Sequence, residues 1–159
     1  MVMKQGIFGV KKVVANMNKA IVLSDEQSQA ALIRAAIFIR RDMSKVSPLV
    51  PVEHRNLDSS FFIVAPKTTP EKGGSFKGDD SSKLSSGHSS VTSKEKGKVT
   101  AFPYPSVGMG FTAYYATYVH EMPATNKFKK AGSGPKFFES AIIRTKEQVK
   151  EILKTGLVK

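Results

Sequence analysis

The sequence predicts an α+β domain, in which an antiparallel sheet packs against two N-terminal helices and a C-terminal helix, with a long flexible insertion between strands. Apolar residues recur at helical spacing near both ends of the chain. Two short central stretches are rich in β-branched and aromatic residues, and a polar segment separates them. A chain of 159 residues is expected to form a single domain, residues 1–159.

The N-terminal segment predicts two helices. In "GVKKVVANMNKAIVL", residues 9–23, the apolar positions at helical spacing are Val10, Val13, Val14, Met17 and Ile21. Ser24 with Gln27 three residues later resembles a capping box, so a second helix is expected to begin after a break at Ser24-Asp25. Pro48 and Pro51 are expected to end it. Its apolar stripe is wide enough to need cover on more than one side and consists of Leu32, Ala35, Ala36, Ile39 and Met43.

The central part of the chain predicts strands joined by a polar insertion. The stretch "SFFIVA", residues 60–65, is typical of a buried strand. "KVTAF" (98–102) and "VGMGF" (107–111) are also strand-like, and Gly108 and Gly110 of the latter would permit a close backbone approach. Residues 67–98 hold 8 Ser, 5 Gly and 7 Lys and few large apolar groups, so we interpret them as a flexible insertion between paired strands.

The C-terminal segment predicts one amphipathic helix. Gly134-Pro135 is expected to start it, with Pro135 at its first position. Gly156 is expected to be its C-cap. The apolar stripe of this helix consists of Phe138, Ile142, Thr145, Val149 and Ile152 with Leu153.

The composition restricts the class of protein. The net charge is +12, and the basic residues are spread along the chain, which favours a polyanionic partner. Cysteine is absent, so neither a disulfide framework nor a thiolate metal site is expected. No membrane contact is expected either, because no apolar run is long enough to span a bilayer. The N-terminus lacks the features of a secretion signal, so we expect synthesis and assembly in the cytoplasm.

The chain's one His-Glu pair, His120-Glu121, raises the question of catalysis. A zinc-protease motif needs a second histidine four residues after the first, and that position holds Ala124. A site built from His120 with His54 and His88 stays open as an alternative. "GSGPK" (132–136) lacks the spacing of a phosphate-binding loop, and no nucleophile elbow occurs. We therefore expect a protein that is not an enzyme and has no cofactor or metal.

Two clusters could contact a partner. Tyr114, Tyr115 and Tyr118 could stack on nucleobases, or they could be half-buried core or interface residues. The basic connector "NKFKKAG" (126–132) offers the best candidates for phosphate contact, which are Lys127, Lys129 and Lys130.

Three segments taken in order resemble a known family. They are "VPVEHRNLDSSF" (50–61), "YATYVHE" (115–121) and "GPKFFESAI" (134–142). Together they are similar to the neck and tail-completion proteins of tailed bacteriophages, often labelled minor capsid proteins. The chain departs from the family at His54-Arg55, where Thr-Gly is common, and at Asp58, where an arginine is common.

The resemblance implies a non-enzymatic virion protein at the head–tail junction. Its partners would be identical copies in a six-fold or twelve-fold ring, other phage neck, connector and tail proteins, and packaged DNA passing through. A sequence-nonspecific nucleic-acid-binding module is the alternative. The resemblance assigns fold- and interface-defining roles to nine positions: Leu57, Ser60, Tyr115, Ala116, Tyr118, Glu121, Lys136, Phe137 and Phe138.

Overall fold

A computed structural model describes residues 10–52, 55–68 and 74–157. Its helices are α1 (Val10–Lys45), α2 (Asn56–Ser59), α3 (Ser81–Thr100), α4 (Ala116–His120) and α5 (Phe137–Leu157), and its strands are β1 (Phe61–Val64) and β2 (Gly108–Phe111). The strands pair antiparallel, with Phe61 opposite Phe111 and Val64 opposite Gly108. This mixture of helices and an antiparallel sheet agrees with the predicted α+β class.

The N-terminal region is one continuous helix, so the predicted break at Ser24-Asp25 is wrong. The hydroxyl of Ser28 donates to the carbonyl of Ser24 at 2.8 Å, one helical turn back, within the uninterrupted helix α1. Neither glycine nor proline occurs between residues 10 and 45 to stop helix propagation. A capping-box pattern alone does not end a helix whose flanking residues include no strong helix breaker.

Helices α1 and α5 pack side by side in antiparallel orientation. Near one end, Arg144 pairs with Asp42, with 3.1 Å between Nε and Oδ2, and its guanidinium donates to the carbonyl of Ser47 at 3.1 Å. Near the other end, a Cβ on Gly156 would lie 2.4 Å from the Cβ of Ala31. Gly156 lies inside α5, so its predicted role as a C-cap is wrong. Its missing side chain instead lets the two helices approach closely.

The two faces of the sheet pack against different helices. Phe62 and Val64 form a small buried cluster with Val99 of α3. A Cβ on Gly108 would lie 3.0 Å from the Val64 side chain and 3.3 Å from that of Val99, so the absence of a side chain here leaves room for these two valines. The opposite face packs into the larger core, where Phe61 and Phe111 meet residues of α1 and α5.

Helix α3 occupies most of the segment interpreted as a flexible insertion, so that interpretation is wrong for residues 81–98. One side of α3 is buried through Leu84, His88, Thr92 and Val99. The strand predicted at 98–102 is also wrong, because residues 98–100 complete α3 and place Val99 against the sheet. The segment does connect the paired strands, as predicted, while residues 69–73 lie outside the described ranges.

Candidate functional site

Five of the nine residues assigned by the motif resemblance lie in one hydrophobic core. Phe111 of β2 is at the centre, with its ring centroid 5.4 Å from that of Phe137 and 6.2 Å from that of Phe138. Met43 of α1 is fully buried in the same cluster. Three segments far apart in sequence thereby meet here, through Leu57, Tyr115, Ala116, Phe137 and Phe138.

Ser60 connects this core to the start of the sheet. It is fully buried, and its hydroxyl donates to the carbonyl of Leu57 at 2.7 Å. Its own carbonyl accepts a hydrogen bond from the backbone N–H of Thr112 at 2.9 Å. The buried hydroxyl of Ser60 thus has an acceptor within α2. The carbonyl of the same residue connects α2 to Thr112, which directly follows β2.

Of the departures from the family pattern, Arg55 directly precedes α2 and Asp58 lies within it. Arg55 precedes the helix with φ 61° and ψ 5°, in the left-handed region that favours glycine. Asp58 forms an ion pair with Arg40 of α1, and the Arg40 guanidinium lies 4.6 Å from the centroid of the Phe61 ring. His54 lies outside the described residues.

Glu121 and Lys136 form an ion pair that links the end of α4 to the start of α5. Lys136 Nζ lies 2.5 Å from Glu121 Oε2 and 3.4 Å from Glu139 Oε2. The hydrogen bond from Lys136, followed by that from His120, holds the pKa of Glu121 below its ordinary value. The hydrogen bond to Glu121 in turn raises the pKa of Lys136. Glu121 directly follows the short helix α4.

His120 belongs to the same linkage between α4 and α5. Its Nδ1 lies 2.8 Å from Glu121 Oε1, and its Nε2 accepts from the backbone N–H of Glu139 at 3.4 Å. Its ring packs edge-on against Phe137, with 5.0 Å between centroids. Both ring nitrogens contact protein groups, an arrangement suited to joining α4 and α5.

The other histidine in the described ranges lies elsewhere in the fold. His88 is buried on α3, and its Nδ1 lies 2.9 Å from the hydroxyl of Thr112. Across residues 10–52, 55–68 and 74–157, no three His, Asp or Glu side chains are grouped so that they could hold a metal ion. Within the described ranges, His88 and His120 therefore make separate contacts, and the predicted third histidine, His54, lies outside those ranges.

A groove of about 630 Å³ opens above the motif core. Its floor is apolar and includes Leu57, Leu84 and Tyr115, and the basic connector contributes Lys127 and Lys129 to its wall. The further lining residues are Pro51, Val52, Asn56, Asp80, Val119, Met122, Asn126 and Phe128. An apolar floor beside lysines suits an extended, partly acidic segment or a phosphate-bearing chain better than a small polar metabolite.

The remaining predicted contact residues lie outside this groove. Lys130 lines a smaller cavity of about 230 Å³ together with Arg55 and Asp58. Tyr118 is 70% exposed on α4 and is not part of the groove lining. The structure thus brings Lys127 and Lys129 to the motif core and leaves Lys130 and Tyr118 apart from it.

The tyrosine cluster does not form a stacking platform. The rings of Tyr114 and Tyr115 are perpendicular, with 5.2 Å between centroids. Tyr114 instead docks onto α3, where its hydroxyl donates to Asp80 at 2.9 Å and Lys83 Nζ lies 4.1 Å from its ring centroid. The hydrogen bond to Asp80 raises the pKa of Tyr114. Successive bases stack on parallel faces, which this pair does not offer.

Sequence reasoning missed the residues that hold α3 against the groove. Leu84 contributes to both the core and the groove floor. The Asn56 side chain bridges to the backbone of Lys77, donating to its carbonyl at 2.8 Å and accepting from its N–H at 2.9 Å. The available signal was the spacing of Leu84, His88 and Thr92, which places one residue per helical turn on one side.

Comparison of the chain with protein-family models, curated proteins and solved structures found no match in any of the three. Within the described ranges, every helix is too short or too polar to cross a lipid bilayer.

Proposed function

We propose that this chain is a structural virion protein of a tailed bacteriophage and forms part of a ring at the head–tail connector through which DNA passes. The observation that carries the proposal is that the three motif segments form one spatial unit. Residues 50–61, 115–121 and 134–142 meet in a single core around Phe111 and Phe137. Each of the three sequence signatures is weak alone, but the segments that carry them pack together. Signatures that matched by chance would not have to lie in contact.

The backbone at Arg55 supports the same proposal independently. The family commonly has glycine at this position, and Arg55 adopts the left-handed conformation, with φ 61°, that glycine adopts at least cost. The turn into α2 has therefore kept the geometry of a glycine-containing turn although its residue is different. Chance similarity in sequence would not predict this conformation at this residue.

Phage particles provide the decisive test. We expect mass spectrometry to find the chain in purified particles of the phage that encodes it, and antibody-gold labelling to place it at the head–tail joint. Loss of the gene should leave DNA-filled heads and finished tails that do not join, and a supplied copy should restore joining. Infectious, fully assembled particles that lack the chain would overturn the proposal.

Sequence-nonspecific nucleic-acid binding is a second candidate, favoured by the net charge of +12 and by the exposed lysines of the connector. If Lys127, Lys129 and Lys130 all contact phosphates, their replacement by glutamine should weaken DNA binding. The slope of log affinity against log salt should then fall by about 3.

The matched control replaces the exposed α5 lysines Lys146, Lys150 and Lys154 by glutamine, for the same change in charge. Equal losses of DNA affinity in both variants would indicate that the positive charge acts as a diffuse field and that the connector is not a specific phosphate-binding site. Absence of binding at about 50 mM salt would remove this candidate and leave the structural role untouched.

A further inference from the structure

A groove of about 570 Å³ lies between helices α1 and α5, away from the motif core. It is lined by Arg34, Ile37, Phe38 and Arg41 of α1 and, among the residues of α5, by Ile152. The four residues of α1 have the spacing i, i+3, i+4 and i+7, so they lie on one side of that helix. We call this surface the α1/α5 groove.

The floor of the α1/α5 groove is apolar and partly open to solvent. Ile37 is 54% exposed, and Phe38 and Ile152 are half-buried. Because Gly156 has no side chain, α5 lies close to Ala31, and the groove follows the seam between the two helices. A seam with apolar side chains between two antiparallel helices has the shape that receives a third helix.

Two exposed arginines, Arg34 and Arg41, border this apolar floor. The chain has five arginines, and two others, Arg40 and Arg144, form ion pairs with aspartates of the fold. In the ranges that the structure describes, Arg34 and Arg41 have no carboxylate partner, and none of the residues that line the groove is acidic. The groove therefore carries two positive charges that the described fold does not neutralise.

The acidic residues next to the groove in sequence already have other partners. Asp42, which follows Arg41, pairs with Arg144. Glu151, which precedes Ile152, pairs with Lys154 at 2.8 Å. These carboxylates are therefore engaged elsewhere and leave the charge of the groove to a partner.

Charge and polarity together indicate the chemistry of the partner. Arg34 and Arg41 are seven residues apart, which is about 10.5 Å along the helix axis, and a partner helix with acidic residues seven apart has the same repeat. A second copy of this chain, with its net charge of +12, is a poor match for a positive groove. Apolar side chains bordered by arginine are typical of protein–protein interfaces, whereas interfaces with DNA are more polar.

We propose that the α1/α5 groove binds an acidic amphipathic helix of a partner protein. Apolar side chains of the partner helix pack on Ile37 and Phe38, and its carboxylates, seven residues apart, pair with Arg34 and Arg41. The proposal rests on this groove alone and does not depend on the phage role.

Selection from a displayed peptide library tests the proposed partner. The library consists of helical peptides of about 16 residues, long enough to span the groove, whose exposed positions vary among glutamate, lysine, leucine and serine. Selection on the full chain should enrich peptides with glutamates seven residues apart beside leucines. Enrichment of peptides without this pattern, or of none, would overturn the proposal.

Charge reversal in the groove tests the two arginines. Arg34→Glu with Arg41→Glu should weaken binding of a selected peptide by about a hundredfold, measured by fluorescence anisotropy. The matched control is Lys94→Glu with Lys146→Glu, which changes the charge equally at two exposed residues outside the groove and should weaken binding far less. Circular dichroism of each variant verifies that the helices remain. Equal losses in both variants would show that the peptide responds to net charge alone and would overturn the proposal.

A second pair of variants tests the apolar floor. Ile37→Asn should weaken binding of the selected peptide by about tenfold, because an apolar contact is lost. Ile143→Asn is the control, since Ile143 is 67% exposed on α5 and does not line the groove, and it should leave the affinity unchanged. The same affinity in both variants would overturn the proposed contact.

Duplex DNA of arbitrary sequence separates this partner from a nucleic acid. Ile37→Asn should leave the affinity for DNA unchanged, and DNA should not displace the selected peptide. Displacement of the peptide by DNA, together with a loss of DNA affinity in the variant with Arg34→Glu and Arg41→Glu that the lysine control does not show, would assign the groove to nucleic acid and overturn the proposal. None of these results decides the phage role, which detection of the chain in virions tests by itself.

Discussion

Arg55 has a backbone conformation that costs an arginine more than it would cost a glycine. With φ 61° and ψ 5°, its Cβ lies close to neighbouring backbone atoms, and no side-chain hydrogen bond caps α2 in return. The residue is exposed, so its side chain does not contribute to the core. The turn is therefore set by the residues on either side of it, which pack into the core, and not by Arg55 itself.

Replacing Arg55 by glycine is expected to stabilise the protein. The relief of left-handed strain exceeds the added entropy of the unfolded chain, for a net gain of about 0.5–1 kcal/mol in the free energy of unfolding. Urea unfolding of both variants measures this gain. Arg55→Ala is the control, because it removes the side chain and keeps the strained Cβ. A glycine variant no more stable than the alanine variant would show that the position carries no strain.

Glu121 gives a pH dependence whose sign follows from its lowered pKa. Lys136 and His120 stabilise its charged form, so its contribution is present above the ordinary pKa of 4.5 and is lost as the pH falls through the lower folded value. The raised pKa of Lys136 has the opposite consequence, because its contribution is present below 10.5 and is lost as the pH rises through the folded value.

Glu121→Gln should therefore reduce stability at neutral pH, and this difference from wild type should shrink as the pH drops below about 4.5. Urea unfolding at several pH values measures it. In a Lys136→Met background the same substitution should have a smaller effect, since the first of the two partners is gone. A difference that is constant from neutral to acidic pH would contradict the proposed linkage.

At the scale of elements, predictions succeeded where the signal is local and failed where packing decides. Strand β1, strand β2 and helix α5 were predicted because their residues combine strong propensity with clear periodicity. Helix α3 was not, because its serines and glycines have low helix propensity and its apolar positions are sparse. Contacts of Leu84 and Val99 with the core and the sheet stabilise it instead. Such contacts join residues far apart in sequence, and their one local signal is the helical-turn spacing of Leu84, His88 and Thr92.

The same distinction between local signals and long-range packing applies to the candidate site. The motif segments contain Leu57 and Phe137, which are buried in the core. The groove above them depends on how the connector carrying Lys127 and Lys129 folds back over α2 and α3, which no spacing within the connector indicates. The capping pattern at Ser24 gave a wrong prediction for the opposite reason. It is a local signal, and the helical residues on both sides of it outweighed it.

Two helical glycines should respond in opposite directions to replacement by alanine. Gly156→Ala would place a methyl group 2.4 Å from the Cβ of Ala31 and should destabilise the protein by about 1–3 kcal/mol through overpacking of α1 against α5. Gly87→Ala on α3 meets nothing within 4 Å and should stabilise it by about 0.5–1 kcal/mol, because alanine is the better helix former. Thermal and urea unfolding measure both. Similar effects of the two substitutions would contradict the close approach of α1 and α5.

At the scale of the whole molecule, the described part of the chain has a main core and one exposed helical end. The core lies around Phe111 and Phe137. Residues 14–21 of α1 are all exposed. Isolated helical segments of this length are marginally stable in water, so this end of α1 would gain stability from a partner that covers it.

Folding and self-association should therefore be linked. A protein whose folded state binds further copies of itself is stabilised by mass action, so its melting temperature rises with protein concentration. For a chain of this length, we expect a rise of about 2–4 °C for each tenfold increase in concentration. Calorimetry over a hundredfold range of concentration measures it. A concentration-independent melting temperature in the wild type would contradict the proposed ring of identical copies, because the folded chain would then be stable without a partner.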